Sequence, residues 1–238
     1  MKKYYLFVVF LASIMVFVSF SGAKKVNIWM IGDSTMAKKS ERQYPESGWG
    51  EGIHQFVTEN TKVHNHAASG RSTKSFLDEG LWKIVYDSIQ PGDFVIIQFG
   101  HNDEKPAEKL HTDPFTSFKE NMKKFIDETR SKGAYPIVCS SIVRHQFDSL
   151  GTLKDTHGDY INAAKEISLE TQTPYIDMEF LTRQIVTEMG HEGSKKIYNY
   201  TSYKQDSTHL NVHGAYVVAK LFVDEVKSKQ LNLSKMFK

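Results

Sequence analysis

Cysteine is almost missing from this sequence: Cys139 stands alone, so no internal disulfide can form and stability must come from a hydrophobic core. Cys139 lies in the apolar run from Tyr135 to Ser141 and is expected as a buried thiol. Excess charge of either sign is missing too, with 30 Lys and Arg against 28 Asp and Glu. That balance argues against nucleic acid or an anionic membrane as the main partner. Long uncharged apolar runs are confined to Leu6 to Phe20. No repeat, low-complexity tract or linker divides the remainder, so residues 24–238 are read as one domain large enough for its own core. Ten histidines occur without an H-E-x-x-H motif or a Cys/His cluster. His64 and His66, on one face of a predicted strand, are therefore read as structural or exposed residues and no metal site is assigned.

The one apolar run has a specific layout. Lys2 and Lys3 precede it and Ser21-Gly22-Ala23 follow it, as in a secretory signal peptide cleaved near Ala23. A retained anchor is the alternative, because the run is at the short limit of a membrane span, about 20 residues. Loss of residues 1–23 removes two lysines and no acid, so the net charge of +2 becomes neutral. The expected destination is secreted or periplasmic, with no stable membrane insertion after cleavage.

Short runs rich in β-branched and aromatic residues recur at Val26 to Ile31, Lys62 to Ala67, Phe94 to Phe99, Pro136 to Ser141 and Pro174 to Met178. Their hydrophobicity is flat, not alternating, which is what strands buried on both faces require. Helical stripes lie between them. Leu77, Leu81, Ile84, Val85 and Ile89 form one; Phe115, Phe118, Met122, Phe125 and Ile126 form another, with Asp113-Pro114 at its start and Gly133 past its end. Ile161, Ala164, Ile167 and Leu169 suggest a third, and a last helix begins near Asn211. Alternating strands and helices predict an α/β protein, a three-layer α/β/α sandwich with a five-stranded parallel sheet. Met189 to Gln205, rich in Gly, Ser, Tyr and Lys, is expected as a surface loop.

Ligands of such sheets gather at the carboxyl ends of strands near the switch in strand order. Gly32-Asp33-Ser34-Thr35, Ala68-Ser69-Gly70-Arg71-Ser72 and Phe99-Gly100-His101-Asn102-Asp103 follow the first three predicted strands. With a 2-1-3 order, as in flavodoxin-like sheets, they would surround one crevice. A serine needs a base to remove its proton, and the base needs an acid to hold its tautomer. Asp206 and His209 offer that pair, although an Asp and a His near a helix start also serve as caps. Ser34 and Gly70 amides and the Asn102 side chain are candidate donors to a developing oxyanion; Gly70 as a turn glycine and Asn102 as a bracing amide are the alternatives.

Together these segments resemble the SGNH hydrolase superfamily, whose blocks contribute Ser, Gly, Asn and His in that order. The resemblance covers nearly all of residues 24–238. It implies a flavodoxin-like fold, a catalytic triad of Ser34, Asp206 and His209, an oxyanion hole of Ser34, Gly70 and Asn102, and neither metal nor organic cofactor. Gly32-Asp33-Ser34-Thr35-Met36, Gly48-Trp49-Gly50, Asn65-x-Ala67-x-x-Gly70-Arg71-Ser72 and Asp206-x-Thr208-His209-Leu210-Asn211 are similar to the rhamnogalacturonan acetylesterase group. The implied partner is an acetylated polysaccharide or oligosaccharide, acted on by a monomer. Glu104-Lys105 departs from the small residues of that pattern, and the lone cysteine departs from relatives with disulfides. Another esterase of the same superfamily, or a carbohydrate-binding module on the same fold, remain the rival readings.

Other polar residues have two readings each. Trp49 and Tyr44 are candidates for stacking on a sugar or for burial beneath the nucleophile loop. Arg71 is a candidate partner for a uronic-acid carboxylate or for a nearby acid. His101 is a candidate at the substrate site, more plausibly as a brace of the oxyanion loop than as a base. Asp33 is expected to bond local amides of the nucleophile turn. A histidine base must be neutral, so activity is expected to rise from mildly acid to neutral pH.

Overall fold

The computed structural model describes residues 25–238; the expected signal peptide, residues 1–23, lies outside them. Strand β1 (Val26–Gly32) leads through a 3-10 turn (Glu41–Gln43) to the short helix α1 (Trp49–Gly52) and β2 (Thr61–Asn65). Helices α2 (Thr73–Asp78) and α3 (Leu81–Ser88) precede β3 (Phe94–Gln98), and α4 (Lys119–Ser131) precedes β4 (Tyr135–Cys139). Then come α5 (Asp159–Glu170), β5 (Tyr175–Ile176), α6 (Met178–Ser194), β6 (Tyr198–Tyr200), β7 (Gln205–Leu210) and α7 (Val212–Ser228).

The five-stranded sheet has the order β2-β1-β3-β4-β5, with every pairing parallel. The expected 2-1-3 order is therefore present. Flat hydrophobicity follows from two covered faces. Ile28, Met30, Ile96 and Cys139 join a core with Trp49 of α1, Val186 of α6 and Phe222 of α7, whereas Trp29, Ile31, Val95 and Val138 join one with Phe76, Trp82, Phe125 and Ile167 of α2 to α5. Successive strand residues point to opposite faces, so β1, β3 and β4 each supply both cores. Cys139 is buried and free, and burial pushes its thiol far up from the ordinary range. Among the described residues no helix is long and apolar enough to cross a membrane.

Local signals set the element ends. Asp113 accepts hydrogen bonds from the Phe115 and Thr116 amides at the turn that opens α4, and Gly133 follows its end at φ +70°. Asn211 caps α7 by accepting from the Gly214 amide at 2.9 Å. Two expectations need correction. The stripe from Leu77 to Ile89 is divided between α2 and α3, because Gly80 turns the chain at φ +71°. Met189 to Gln205 is not a loop throughout: its first part lies in α6, and the rest supplies β6, the turn after it and the first residue of β7. Within Met178–Ser194, Gly190 has non-helical φ 68° and ψ 176°, so α6 is two helical segments joined across a kink at this glycine.

The first layer depends on a close approach between α1 and α7. A side chain at Gly52 would place its first carbon 2.3 Å from the Ala215 carbonyl oxygen. Gly52→Ala is expected to cost about 1–3 kcal/mol through overpacking, read as a lower urea midpoint at unchanged slope; an unchanged midpoint would refute the argument.

Candidate active site

The nucleophile turn begins where β1 ends, on a glycine that has no room for a side chain. A Cβ on Gly32 would lie 2.6 Å from the Gln98 carbonyl oxygen. Asp33 is fully buried, and its Oδ1 accepts from the Thr35 amide at 2.9 Å and the Thr35 hydroxyl at 2.8 Å. The Gln98 side chain, at the end of β3, donates to Thr35 Oγ1 at 2.8 Å and accepts from Trp49 Nε1 at 2.6 Å. Trp49 is 0% exposed. The stacking role is therefore corrected: this ring underlies the nucleophile loop and offers no face to a sugar. Tyr44 remains exposed.

Ser34 meets a base from the far end of the chain. His209 Nε2 lies 2.9 Å from Ser34 Oγ, and His209 Nδ1 lies 2.8 Å from Asp206 Oδ2. An ionised carboxylate can only accept, so Nδ1 carries the proton and Nε2 is left to accept from the serine hydroxyl. Asp206 and His209 lie on β7, not in a free segment ahead of the helix. Asp206 Oδ1 accepts from the Thr208 and His209 amides, each at 2.9 Å. Burial alone would raise the Asp206 pKa, but the His209 ring, these amides and Lys204 hold it well below the usual range.

A chain of alternating charges stands behind Asp206. Lys204 Nζ lies 2.9 Å from Asp206 Oδ2 and 2.8 Å from Glu46 Oε2, and Lys39 Nζ lies 3.0 Å from Glu46 Oε1. Burial would raise Glu46, yet the two lysines keep it below its ordinary value. Donor atoms of Glu46, Asp206 and His209 fall within 4.8 Å of one another, a grouping that could hold a metal ion. The Lys204 ammonium is already bonded to both carboxylates, so a metal would have to displace it. These lysines and Glu46 carry no motif, and sequence reasoning misses them.

The expected oxyanion donors converge on the same cleft. It has a volume of about 410 Å³ and is lined by Ser34, Gly70, Asn102 and His209, with Lys39, Lys105 and Lys204 among its other walls. Gly70 has φ +79° and open space around it, so it is needed for its backbone angle and not for close approach. Among the described residues the Ser34 and Gly70 amides donate to no protein acceptor. Asn102 Nδ2 donates to the Arg71 carbonyl at 3.0 Å, and Asn102 Oδ1 accepts from Lys105 Nζ at 2.7 Å. That ammonium fixes which way the amide faces. A larger hollow of about 680 Å³ lies at the amino ends of β3 and β4, beside Arg130, Gln172 and Leu233, away from any serine and base pair.

Buried polar residues lock the loops together. Asp103 Oδ1 accepts from the Thr73 amide at 3.0 Å, the Thr73 hydroxyl at 2.5 Å and the Thr112 hydroxyl at 3.0 Å. Burial pushes its carboxyl up to about 7 against these donors. His101 is 2% exposed, with Nδ1 3.3 Å from Asp33 Oδ2 and its ring 4.4 Å from that of His157. It is therefore corrected from a substrate-site candidate to a brace behind the loop. His157 Nδ1 is 2.9 Å from Glu104 Oε2, and Arg144 pairs with Glu104, so Glu104 belongs to that brace. Arg71 pairs with Glu79 at 2.8 Å at the edge of the neighbouring hollow, the acid-paired alternative. His64 stacks on Trp29 at 4.1 Å and bonds Asn27, while His66 tilts against the same Trp29 ring, as structural residues do.

At neutral pH Asp33 is ionised and His101 neutral. Burial would raise Asp33, but the ring and Thr35 hold it at about 2, while burial holds His101 at about 4 despite Asp33. Asp33 thus contributes stability that is present above its ordinary 3.8 and lost as pH falls through 2. His101 acts in the same direction between its ordinary 6.5 and 4, because the unfolded chain takes up the proton first. Asp103 acts oppositely between 3.8 and 7, where stability falls as pH rises. The melting temperature is therefore expected to drop steeply from about pH 4 to about pH 2, and Asp33→Asn to make that slope shallower. An equally steep slope in the variant would overturn this reading.

With the geometry in place, known proteins give it a setting. The chain is 35% identical over 219 residues to the rhamnogalacturonan acetylesterase RhgT of Bacillus subtilis, spanning 88% of this chain and 93% of that protein. The crystal structure of YxiM from Bacillus subtilis has a TM-score of 0.78 and 27% identity, covering 87% of this chain and 58% of that longer one. Axe2, an acetylxylan esterase from Geobacillus stearothermophilus, shares the fold with a TM-score of 0.62 at 17% identity, over 85% of this chain and 96% of its own. The match to the GDSL-like Lipase/Acylhydrolase family runs over residues 30–217 and includes Ser34, Gly70, Asn102, Asp206 and His209, so the chain belongs to that family.

Proposed function

We propose that this chain is a serine esterase that removes acetyl groups from plant cell-wall polysaccharide, with acetylated rhamnogalacturonan as its substrate. The observation that carries the chemistry is the 2.9 Å contact between Ser34 Oγ and His209 Nε2, backed by Asp206. The substrate comes from the likeness to RhgT. Residues 1–23 act as an export signal, leaving residues 24–238 as a monomeric catalytic domain that works in the periplasm or outside the cell.

His209 Nε2 takes the Ser34 proton as Oγ attacks the acetyl carbonyl carbon. The carbonyl oxygen becomes an oxyanion that accepts from the Ser34 and Gly70 amides and from Asn102 Nδ2. Asp206 stays ionised and stabilises the imidazolium. The carbonyl re-forms, the sugar oxygen leaves with the proton from His209, and an acetyl-serine remains. Water then attacks, giving its proton to His209; acetate departs and Ser34 recovers its hydrogen.

Ser34→Ala is expected to abolish acetate release while its circular dichroism spectrum matches wild type, and Asn102→Ala to lower kcat by about 10² to 10³. A folded Ser34→Ala protein with full activity would end the proposal. A substrate panel tests the specificity: acetylated rhamnogalacturonan should be deacetylated faster than acetylated xylan, and long-chain esters slowest. Preference for xylan or long chains would replace the substrate, and binding to polymer without acetate release would favour the carbohydrate-binding module.

A further inference from the structure

We propose that a second cleft beside the catalytic one is a carbohydrate subsite, in which Tyr44 and Tyr203 stack on a sugar ring and Arg42 binds the carboxylate of a uronic acid unit. The proposal rests on the polysaccharide esterase reading and adds the direction in which the polymer runs.

The cleft has a volume of about 200 Å³, and Gln43, Glu46 and Lys204 line both it and the cleft that holds Ser34. The two clefts therefore adjoin, with these three residues common to both walls. Tyr44 is 72% exposed and Tyr203 79% exposed, and both line this one cleft. Single exposed aromatics are ordinary on a protein surface. Two lining one cleft that adjoins the Ser34 cleft are suited to act as ring platforms, since a tyrosine offers a flat apolar face to sugar C–H groups and a hydroxyl at the tip.

Both rings stand on braced turns. Tyr44 ends the 3-10 turn whose start is tied by the Ser40 amide donating to Gln43 Oε1 at 3.1 Å. Tyr203 rides a turn closed by the Thr201 amide donating to the Lys204 carbonyl at 2.7 Å. Little backbone ordering is left for binding to require. Asn199 is in the wall, donating to Glu46 Oε2 at 3.2 Å, while its Oδ1 has no partner among the described residues.

The charges distinguish the ligand. Lys39, Lys105 and Lys204 are committed to Glu46, Asn102 and Asp206 respectively, and Glu46 is neutralised by two of them. Arg42 lines the second cleft, is exposed, and forms no ion pair among the described residues. A planar guanidinium with free donors suits a carboxylate.

The test compares wild type, the Tyr44→Ala/Tyr203→Ala double variant and Arg42→Gln on three substrates: p-nitrophenyl acetate, acetylated rhamnogalacturonan oligosaccharides and acetylated xylan oligosaccharides. For the double variant, the ratio of kcat/KM on the rhamnogalacturonan oligosaccharides to that on p-nitrophenyl acetate is expected to fall about tenfold or more, carried by KM. Arg42→Gln should raise KM on the acidic oligosaccharide and weaken its salt dependence, with no such change on xylan. An unchanged ratio in the double variant, with wild type active on the oligosaccharide, overturns the subsite and leaves the esterase reading intact. Equal effects of Arg42→Gln on both oligosaccharides overturn the uronate contact. Wild type active on the small ester but on neither oligosaccharide overturns both the polysaccharide reading and this one.

Discussion

The hydrogen bond between Ser34 and His209 joins residues 175 positions apart, and the other features of the site make sense as means of holding its two ends still. One end is rigid by construction, because Ser34 follows a strand buried on both faces. The other end is not in that sheet. β7 pairs only with the short β6, so its position is set by loops: the Ser47 amide donates to the Leu210 carbonyl at 2.9 Å and the His145 amide to the Ser207 carbonyl at 2.7 Å. Those loops follow β1 and β4, and through them the base is referenced to the same sheet as the nucleophile.

Charge arrangement follows from the same constraint. An Asp close to an imidazole in a partly buried site must remain ionised, and burial works against that. Two backbone amides, the His209 ring and Lys204 outweigh it. Glu46, buried and held in turn by Lys39, gives Lys204 a second carboxylate partner besides Asp206. A buried ion pair contributes little net stability when its desolvation is counted. Its value here lies in geometry: it ties the segment after the nucleophile turn to the hairpin that carries Asp206.

The strands and the residues that meet around Ser34 are legible in the sequence, because two-face burial leaves flat apolar runs and the polar blocks follow them directly, whereas the strand order is only conditional there and comes through the family resemblance. Trp49 shows the limit of that reading. A tryptophan between two glycines suits a platform or a core equally, and only the Gln98 side chain at the end of β3 decides for the core. Lys204 and Glu46 show another limit, since their partners lie on segments brought together by a hairpin that the Gly- and Ser-containing stretch conceals. Asp103 stands inside a recognised block, but its bonds to Thr73 and Thr112 depend on where α2 begins. Gly80 and Gly190 illustrate why element boundaries are harder to read than element types: each takes a positive φ between two helical segments, where the apolar pattern alone shows no break.

The strand order explains why the proposed oxyanion donors need no long connection. Loops after β1, β2 and β3 are neighbours in a 2-1-3 sheet, so each tie between them is short: Asn102 to the Arg71 carbonyl, Asp103 to the Thr73 amide, His101 against Asp33. Asn102 is thus held relative to Ser34 by buried and part-buried contacts at three adjacent strand ends. The base reaches them from outside through the hairpin, whose tip also carries Tyr203. The polar contacts of that hairpin with the 44–47 segment govern where the imidazole meets the serine, while the sheet governs where the proposed oxyanion donors lie, so the two halves of the proposed catalytic geometry rest on separate parts of the fold.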